Sequence, residues 1–558
     1  MPIALVALLA LASFALGYAL YARFLERELG VDDARVTPAC ELEDGNDFIP
    51  TRAAILVPQH LAAISAAGPI VGPIMACLWF GWAPALAWIV LGNVFIGAPH
   101  DFQALFASVR HRARSMAQVV RDNISPRGQV LFLLFIWFSL NYVTIAFTDL
   151  TASTFADTQG AATGPGVAAS SMLYLVLALV LGVCLRRGMS LGLATAIFVP
   201  LLIAVIWAGP RMPLVPPESL GAPARFWGLA ILAYCYLASV LPLWLLLQPR
   251  GFLGGYFLYG ALGVGLLGIL AGGFQVQYPA FVGWTHQAKD HVEPLFPIFF
   301  ITIACGACSG FHGMVCGGTT SRQIARESDI RPVAYGGMLL EGVVALISLA
   351  TVMMLAKTDP LLATTPSPDR IYASGLAAFA NALTGVDRAM ALSFGLLAFA
   401  TFIFDTLDVC TRLGRYIFQE LTGLEGSVGL HVATLTTLAL PAAAILTMPG
   451  GAWKTFWPIF GASNQLVAAL SLLGIATWLR REGRNFWIAA APMAFLLAMT
   501  LGSLVLQAWW AATAPSPSIA ICGLASILIL LALALVVEAV QAVALRTPQE
   551  AGALRLEA

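Results

Sequence analysis

Ile303-Ala304-Cys305-Gly306-Ala307-Cys308-Ser309-Gly310-Phe311-His312-Gly313-Met314-Val315-Cys316-Gly317-Gly318-Thr319-Thr320 closes an apolar run that begins near Pro294. Hydropathy places it inside a membrane, yet five of its residues are glycine and one is histidine. A helix that only had to span would not be built this way. Glycines let the backbone unwind or let a neighbour approach closely, and the freed amides and carbonyls must then find partners in protein, water or substrate. A second stretch answers it upstream: Gln59-His60-Leu61-Ala62-Ala63-Ile64-Ser65-Ala66-Ala67-Gly68-Pro69-Ile70-Val71-Gly72-Pro73. Paired interruptions in two halves of a membrane chain point to a transporter's binding site.

The rest of the chain fits that setting. Of 558 residues, 59% are hydrophobic and only 10% charged, with a mean hydropathy of +0.85. A soluble domain could not cover its surface with so few charges. The net charge of zero argues against a nucleic-acid partner. The nine cysteines lie mostly in apolar runs and read as small buried residues. Met1 to Tyr21 lacks the basic start of a signal peptide and is long enough to span.

About fifteen runs of ~20 apolar residues predict an all-α polytopic membrane protein. They fall near 2–22, 54–78, 83–107, 129–152, 167–185, 190–209, 226–247, 252–275, 295–318, 333–356, 389–411, 430–448, 456–479, 486–511 and 519–545. The polar stretch 357–388 contains a possible amphipathic helix at Ile371–Leu383. With the N-terminus outside, inner segments receive 22 of the 29 Lys and Arg residues, so the C-terminus is expected inside. The two interrupted segments then run in opposite directions, each followed by four further spans. This predicts two five-helix inverted repeats, 54–209 and 295–480. Around them lie an N-terminal helix and inner segment (1–53), an inserted helix pair with an outer loop (210–294) and a C-terminal helix pair (481–558). Phe147-Thr148-Asp149-Leu150-Thr151 and Phe404-Asp405-Thr406-Leu407-Asp408 echo one another at the third helix of each unit.

Ionisable groups at membrane depth are expensive and so are functional candidates. His60 and His312 lie in or beside the breaks, where an imidazole could exchange a proton near neutral pH. Asp149, Asp405 and Asp408 lie in apolar surroundings, and Asp405 and Asp408 share a helix face with Arg412 four residues on, which makes an internal Asp408–Arg412 pair an equal reading. His100-Asp101 precedes a basic loop, where capping or snorkelling competes with coupling. Glu341 is deeper, within Gly336-Gly337-Met338-Leu339-Leu340-Glu341-Gly342. Cys305, Cys308, His312 and Cys316 form one helical stripe, but four ligands along a straight helix span ~16 Å, too far for one ion. No metal is therefore expected, and small residues packing on a neighbour is the favoured account. Asn464-Gln465 offers amides to helix packing or to substrate. Nucleotide-binding, nucleophile-elbow and metalloprotease motifs are missing from suitable contexts, so no cofactor and no enzymatic role are expected.

Asp44-Gly45-Asn46-Asp47-Phe48-Ile49-Pro50-Thr51, Gly68-Pro69-Ile70-Val71-Gly72-Pro73, Gly97-Ala98-Pro99-His100-Asp101-Phe102, Ser309-Gly310-Phe311-His312 and Pro458-Ile459-Phe460-Gly461-Ala462-Ser463-Asn464-Gln465 resemble the carbon starvation protein CstA family over about residues 44–480. The resemblance implies an inner-membrane nutrient importer used in carbon starvation, with a LeuT-like five-plus-five inverted repeat, carrying peptides or pyruvate with protons. This chain departs from it with Gln59-His60 in place of paired histidines. The expectation is a bacterial inner-membrane secondary transporter in the lipid bilayer. Gly68, Pro69, Gly310, Phe311 and His312 would bind a short peptide or small carboxylate, through freed amides. His312, with Asp405 or Glu341, would couple a proton. A sodium-coupled carrier, helped by hydroxyls near Thr401 and Thr406, is the alternative; a channel or membrane metalloenzyme is the remoter one.

Overall fold

The computed structural model describes residues 1–545 apart from 45–47, 158–163, 243, 289, 364–366, 449, 452, 516 and 517. Part of the Asp44–Thr51 motif and the extreme C-terminus thus lie outside the described residues. Thirteen helices among the described residues are long and apolar enough to cross a membrane. A fourteenth crossing is the pair Ala53–Ile64 and Gly68–Phe80, bent by 54° across Ser65–Ala67. The expected span 295–318 is an interrupted segment, made of Leu295–Thr302, a non-helical stretch to Ser309, then Gly310–Val315 and a π-helical turn at Cys316–Thr320. The protein is an all-α polytopic membrane protein. Among the described residues the one sheet is a small hairpin, Thr285–Gln287 against Val292–Pro294, in a connecting loop.

Burial separates two classes of helix. The apolar windows of Trp453–Arg481 and Glu327–Met353 are 100% and 89% buried, whereas those of Leu191–Arg211 and Ile521–Ala544 are 22% buried. A helix apolar all round belongs inside the bundle only if its neighbours cover it, and otherwise faces lipid. The inner class carries the candidate groups. Its packing relies on missing side chains: a Cβ on Gly97 would lie 2.2 Å from the carbonyl oxygen of Ala307, and one on Gly461 2.1 Å from that of Ile301. Two helices therefore press backbone to backbone on the interruption.

Among the described residues four π-helical turns punctuate the chain, at Gly17–Tyr21, Asn93–Gly97, Cys316–Thr320 and Arg331–Tyr335. Three of them meet. Tyr335 Oη donates to the carbonyl of Val94 at 2.8 Å, and a Cβ on Gly17 would touch both Val94 and Tyr335.

One end of the molecule gathers the arginine-rich segments. Arg110 binds Glu327 at 2.7 Å and the Gly30 carbonyl, Arg331 binds Glu26 at 2.6 Å, and Arg481 reaches the Ala542 carbonyl. The opposite end joins Met1 to Val276 and Asp157 to Arg370. The expected amphipathic helix exists as Pro368–Thr384. The seventh expected span, 226–247, ends earlier than its apolar run: Pro223–Val240 stops where Arg412 Nη2 captures the carbonyls of Ala238 and Leu241, and Arg415 that of Ser239. Two cations at a helix C-terminus stabilise that end through its unpaired carbonyls.

Candidate functional site

The interruption after Thr302 frees backbone groups, and one side chain collects them. Asn464, on the Trp453–Arg481 helix, accepts the amide of Phe311 at 3.0 Å and the hydroxyl of Ser309 at 3.3 Å on its Oδ1. Its Nδ2 donates to Cys305 Sγ and Ser309 Oγ. Gln465 Nε2 donates to the Phe300 carbonyl at 2.9 Å, and Asn93 Nδ2 to the Gly306 carbonyl at 2.6 Å. This corrects one expectation. The amide beside Gly310 is already spent on Asn464, and a Cβ on Gly310 would sit 2.3 Å from the Asn464 carbonyl oxygen. Asn464→Ala would strand the Phe311 amide and the Ser309 hydroxyl. The expected cost is ~1–3 kcal/mol, read as a lowered thermal unfolding midpoint of the purified protein. An unchanged midpoint would show that the break does not depend on Asn464.

The other break is less occupied. Gly68 begins a thirteen-residue helix, and Pro69 follows with no N–H to satisfy. Ser65 is buried and its hydroxyl has no partner among the described residues. Gly68 packs on Cys305, where a Cβ would lie 2.3 Å from Sγ, so the two breaks touch.

On the arginine-rich side of the breaks, four elements bring ionisable groups together. Asp101, on Ala98–Arg110, takes His100 Nδ1 on one oxygen and His312 Nδ1 on the other, each at 2.8 Å. The far nitrogen of His312 lies 2.9 Å from Glu341 Oε2, on Gly336–Met353. That approach is off the N–H axis, so it has the distance of an ion pair without an aligned hydrogen bond. His100, Asp101, His312 and Glu341 are all 0% exposed. Snorkelling is thus ruled out for His100-Asp101. His60 is buried alongside, its Nδ1 2.9 Å from Thr320 Oγ1, its Nε2 without a partner among the described residues and its ring against Gly337.

With Asp101 ionised and accepting Nδ1–H from both imidazoles, a proton between His312 Nε2 and Glu341 leaves the trio with one net negative charge in a buried site, which one more proton neutralises.

The remaining carboxylates are elsewhere. Asp149 accepts the amides of Trp453 at 2.8 Å and Gly451 at 3.3 Å, capping the Trp453–Arg481 helix. Asp405 and Asp408 do not pair with Arg412. Both bind Arg250, which is wholly buried: its Nε donates to Asp405 at 3.0 Å, its Nη2 again to Asp405, and its Nη1 to Asp408 and the Tyr234 hydroxyl. Tyr234 in turn donates to Asp408 at 2.8 Å. Asp405 is therefore not the partner of His312. Arg250 lies in the first turn of Leu247–Ala271, just before an apolar run. Of the two hydroxyls offered for sodium, Thr406 is bonded to its own helix and Thr401 Oγ1 is buried with no partner among the described residues. The Cys/His stripe is broken between Cys308 and His312, Cys305 accepts from Asn464, and Cys316 Sγ donates to the Asp101 carbonyl at 3.7 Å.

The chain matches the family model described as carbon starvation protein CstA at residues 3–361 and 358–503. It belongs to the CstA family. Among its relatives, the peptide transporter CstA of Helicobacter pylori is 30% identical, covering 88% of this chain and 80% of that protein. The peptide transporter CstA of Mycobacterium tuberculosis is 32% identical over 88% and 73% of the two chains. The pyruvate/proton symporter BtsT of Escherichia coli is 28% identical over 88% and 79%. A solved structure of the Eremococcus coleocola manganese transporter aligns with 90% of this chain and 98% of its own at a TM-score of 0.47 and 15% identity. This CstA-family member is a multi-pass secondary transporter of small molecules and not an enzyme.

Proposed function

We propose that this CstA-family transporter imports a small carboxylate together with a proton across the bacterial inner membrane, N-terminus outside and C-terminus inside. The observation that carries the reading is the fully buried Asp101–His312–Glu341 chain, three titratable groups in contact through the two nitrogens of one imidazole. It sits beside the crossing of two broken segments, as a coupling site must if substrate and proton are to move in one cycle. The substrate carboxylate would lie at the start of the Gly68–Phe80 helix, where the helix dipole and the Ser65 hydroxyl favour an anion. Pro69 and Phe311 would flank it, His312 would feel its charge, and Gly310 would serve packing. Close contact between the breaks suits one compact anion of the pyruvate kind better than a peptide with two charged termini.

His60 and His100 would be auxiliary members of the proton site, and Asp149, Asp405 and Asp408 structural. The units 54–209 and 295–480 would form the inverted repeats, each opened by a broken segment, with 210–294 inserted and 1–53 and 481–558 flanking them. The arginine-rich end would face the cytoplasm, since basic residues favour that side.

The test is proton uptake in proteoliposomes, with pyruvate and a dipeptide offered separately at fixed membrane potential without sodium. Internal acidification driven by pyruvate alone is the expected result. Acidification by the dipeptide alone would move the substrate to peptides. Uptake that requires sodium and carries no proton would overturn the coupling site and turn attention to the buried Thr401 hydroxyl.

A further inference from the structure

The arginine-rich end holds a cavity of about 800 Å³. One wall is the segment that enters and leaves the broken helices: Phe48 with Arg322, whose carbonyl accepts the Ile49 amide at 3.2 Å. The other wall is the loop and helix after Arg110, carrying Arg112, Arg114 and Arg121, together with Glu420 at the end of Arg388–Thr422. Among the described residues four arginines line it against two carboxylates, Asp122 and Glu420, and Arg112 also pairs with Glu41 at 3.4 Å. Both acids are already engaged, Asp122 by Arg114 at 3.6 Å and Glu420 by Gln129 at 2.8 Å. Arg121 has no side-chain partner among the described residues.

Inward-side preference explains why arginines are at this end, but not why the chain is held to aim them at one cavity. Arg112 and Ala113 have φ of 59° and 55°, left-handed at two successive non-glycine residues. Such a backbone costs of order 1–3 kcal/mol per residue and persists only where its surroundings enforce it. Here they do. Ser108 Oγ donates to the Arg114 carbonyl at 2.7 Å and the Ala113 amide to the Ser108 carbonyl at 2.8 Å. His111 donates from Nδ1 to Ala107 and accepts Asn123 on Nε2 at 3.0 Å, and burial keeps its imidazole below the ordinary histidine pKa. The helix Met116–Asn123 also begins at the cavity, its positive end capped by Ser115.

We propose that this cavity binds a phosphate group, carried by a soluble phosphorylated compound or by an anionic lipid headgroup, bridging Arg322 on one wall and Arg114 and Arg121 on the other. Guanidinium forks match tetrahedral oxyanions, and several of them can converge on one phosphate group. The bound group would also pin the inner end of the broken segment. A Cβ on Gly317 would lie 3.3 Å from the Met116 amide nitrogen and 3.4 Å from Ser115 Cα, so that end rests directly on the arginine loop. This site is separate from the proton chain and does not depend on which substrate is carried.

Thermal unfolding of the purified full chain tests it in two arms. In detergent, pyrophosphate should raise the unfolding midpoint by several degrees through mass action. In nanodiscs, phosphatidylglycerol should raise it relative to phosphatidylcholine if the source is lipid. In the arm that responds, Arg114→Gln/Arg121→Gln should lose the shift, and Arg187→Gln, an exposed inner arginine away from the cavity, should keep it. Arg121→Gln alone removes no internal contact and serves as the second variant, with at least half the shift lost. A shift only with pyrophosphate assigns a soluble ligand, and one only with phosphatidylglycerol assigns a headgroup. No shift in either arm, or equal shifts in wild type and both cavity variants, overturns the proposal.

Discussion

Glu341→Gln abolishes concentrative uptake while leaving substrate exchange in place. One proton moving with one carboxylate anion is electroneutral, so the pH gradient drives accumulation, and each pH unit is worth ~1.4 kcal/mol, or about tenfold. With an imposed gradient of about two units, wild-type vesicles should approach ~100-fold accumulation and the variant should stop near equality. Glutamine keeps the size of the side chain and an oxygen toward His312, but it cannot take the proton that neutralises the buried trio. Counterflow of labelled substrate against unlabelled needs only binding and reorientation, and should persist within a few-fold. Accumulation by the variant equal to wild type would remove Glu341 from the coupling step. Loss of both uptake and counterflow would make it a structural residue.

Arg250 produces the second large effect, and on stability instead of transport. Arg250→Met leaves Asp405 and Asp408 without their counter-charge in a buried site, at a cost of about 3–5 kcal/mol. That is a large share of a typical folding free energy, so the variant should be recovered in low yield with a much reduced unfolding midpoint. Restoring neutrality should rescue it: Arg250→Met/Asp405→Asn/Asp408→Asn removes the uncompensated charges and should return most of the lost midpoint. If the triple variant is as unstable as the single one, shape and hydrogen bonding hold this region together, and charge balance does not.

The spans were legible because an apolar run is a local property of the chain. Thirteen of the expected segments appear as spanning helices and a fourteenth as the bent pair, with most ends within a few residues and the ends of 2–22, 226–247 and 389–411 shifted by more; 295–318 is interrupted. The breaks were legible for a similar reason, since Gly306, Gly310 and Gly68 announce backbone that does not continue as a helix. What could not be read was who meets whom. Asp101 and His312 are 211 positions apart, and Asn464 and Phe311 are 153 apart. Nothing in either neighbourhood specifies the other. Glu341 stood out by depth alone, whereas Arg250 was hidden in Gln248-Pro249-Arg250, which reads as a loop beside an apolar run. Only the position of Asp405 and Asp408 three residues apart hinted that a buried cation was required, and the nearby Arg412 was the wrong one because it caps a neighbouring helix.

The three π-helical turns that meet around Tyr335 have a geometric consequence for the transport cycle. Each holds one residue more than an α-helical turn needs. If such a turn closes, that residue rejoins the regular spiral, and everything beyond it rotates by about 100° and advances by ~1.5 Å. Gly17–Tyr21, Asn93–Gly97 and Arg331–Tyr335 thus give three touching helices a common reserve of chain length. One of these reserves lies directly before Ala98–Arg110 and another before Gly336–Met353, the helices that carry Asp101 and Glu341. Exchanging slack at Tyr335 and Val94 would re-aim both acids at once, with no helix having to melt.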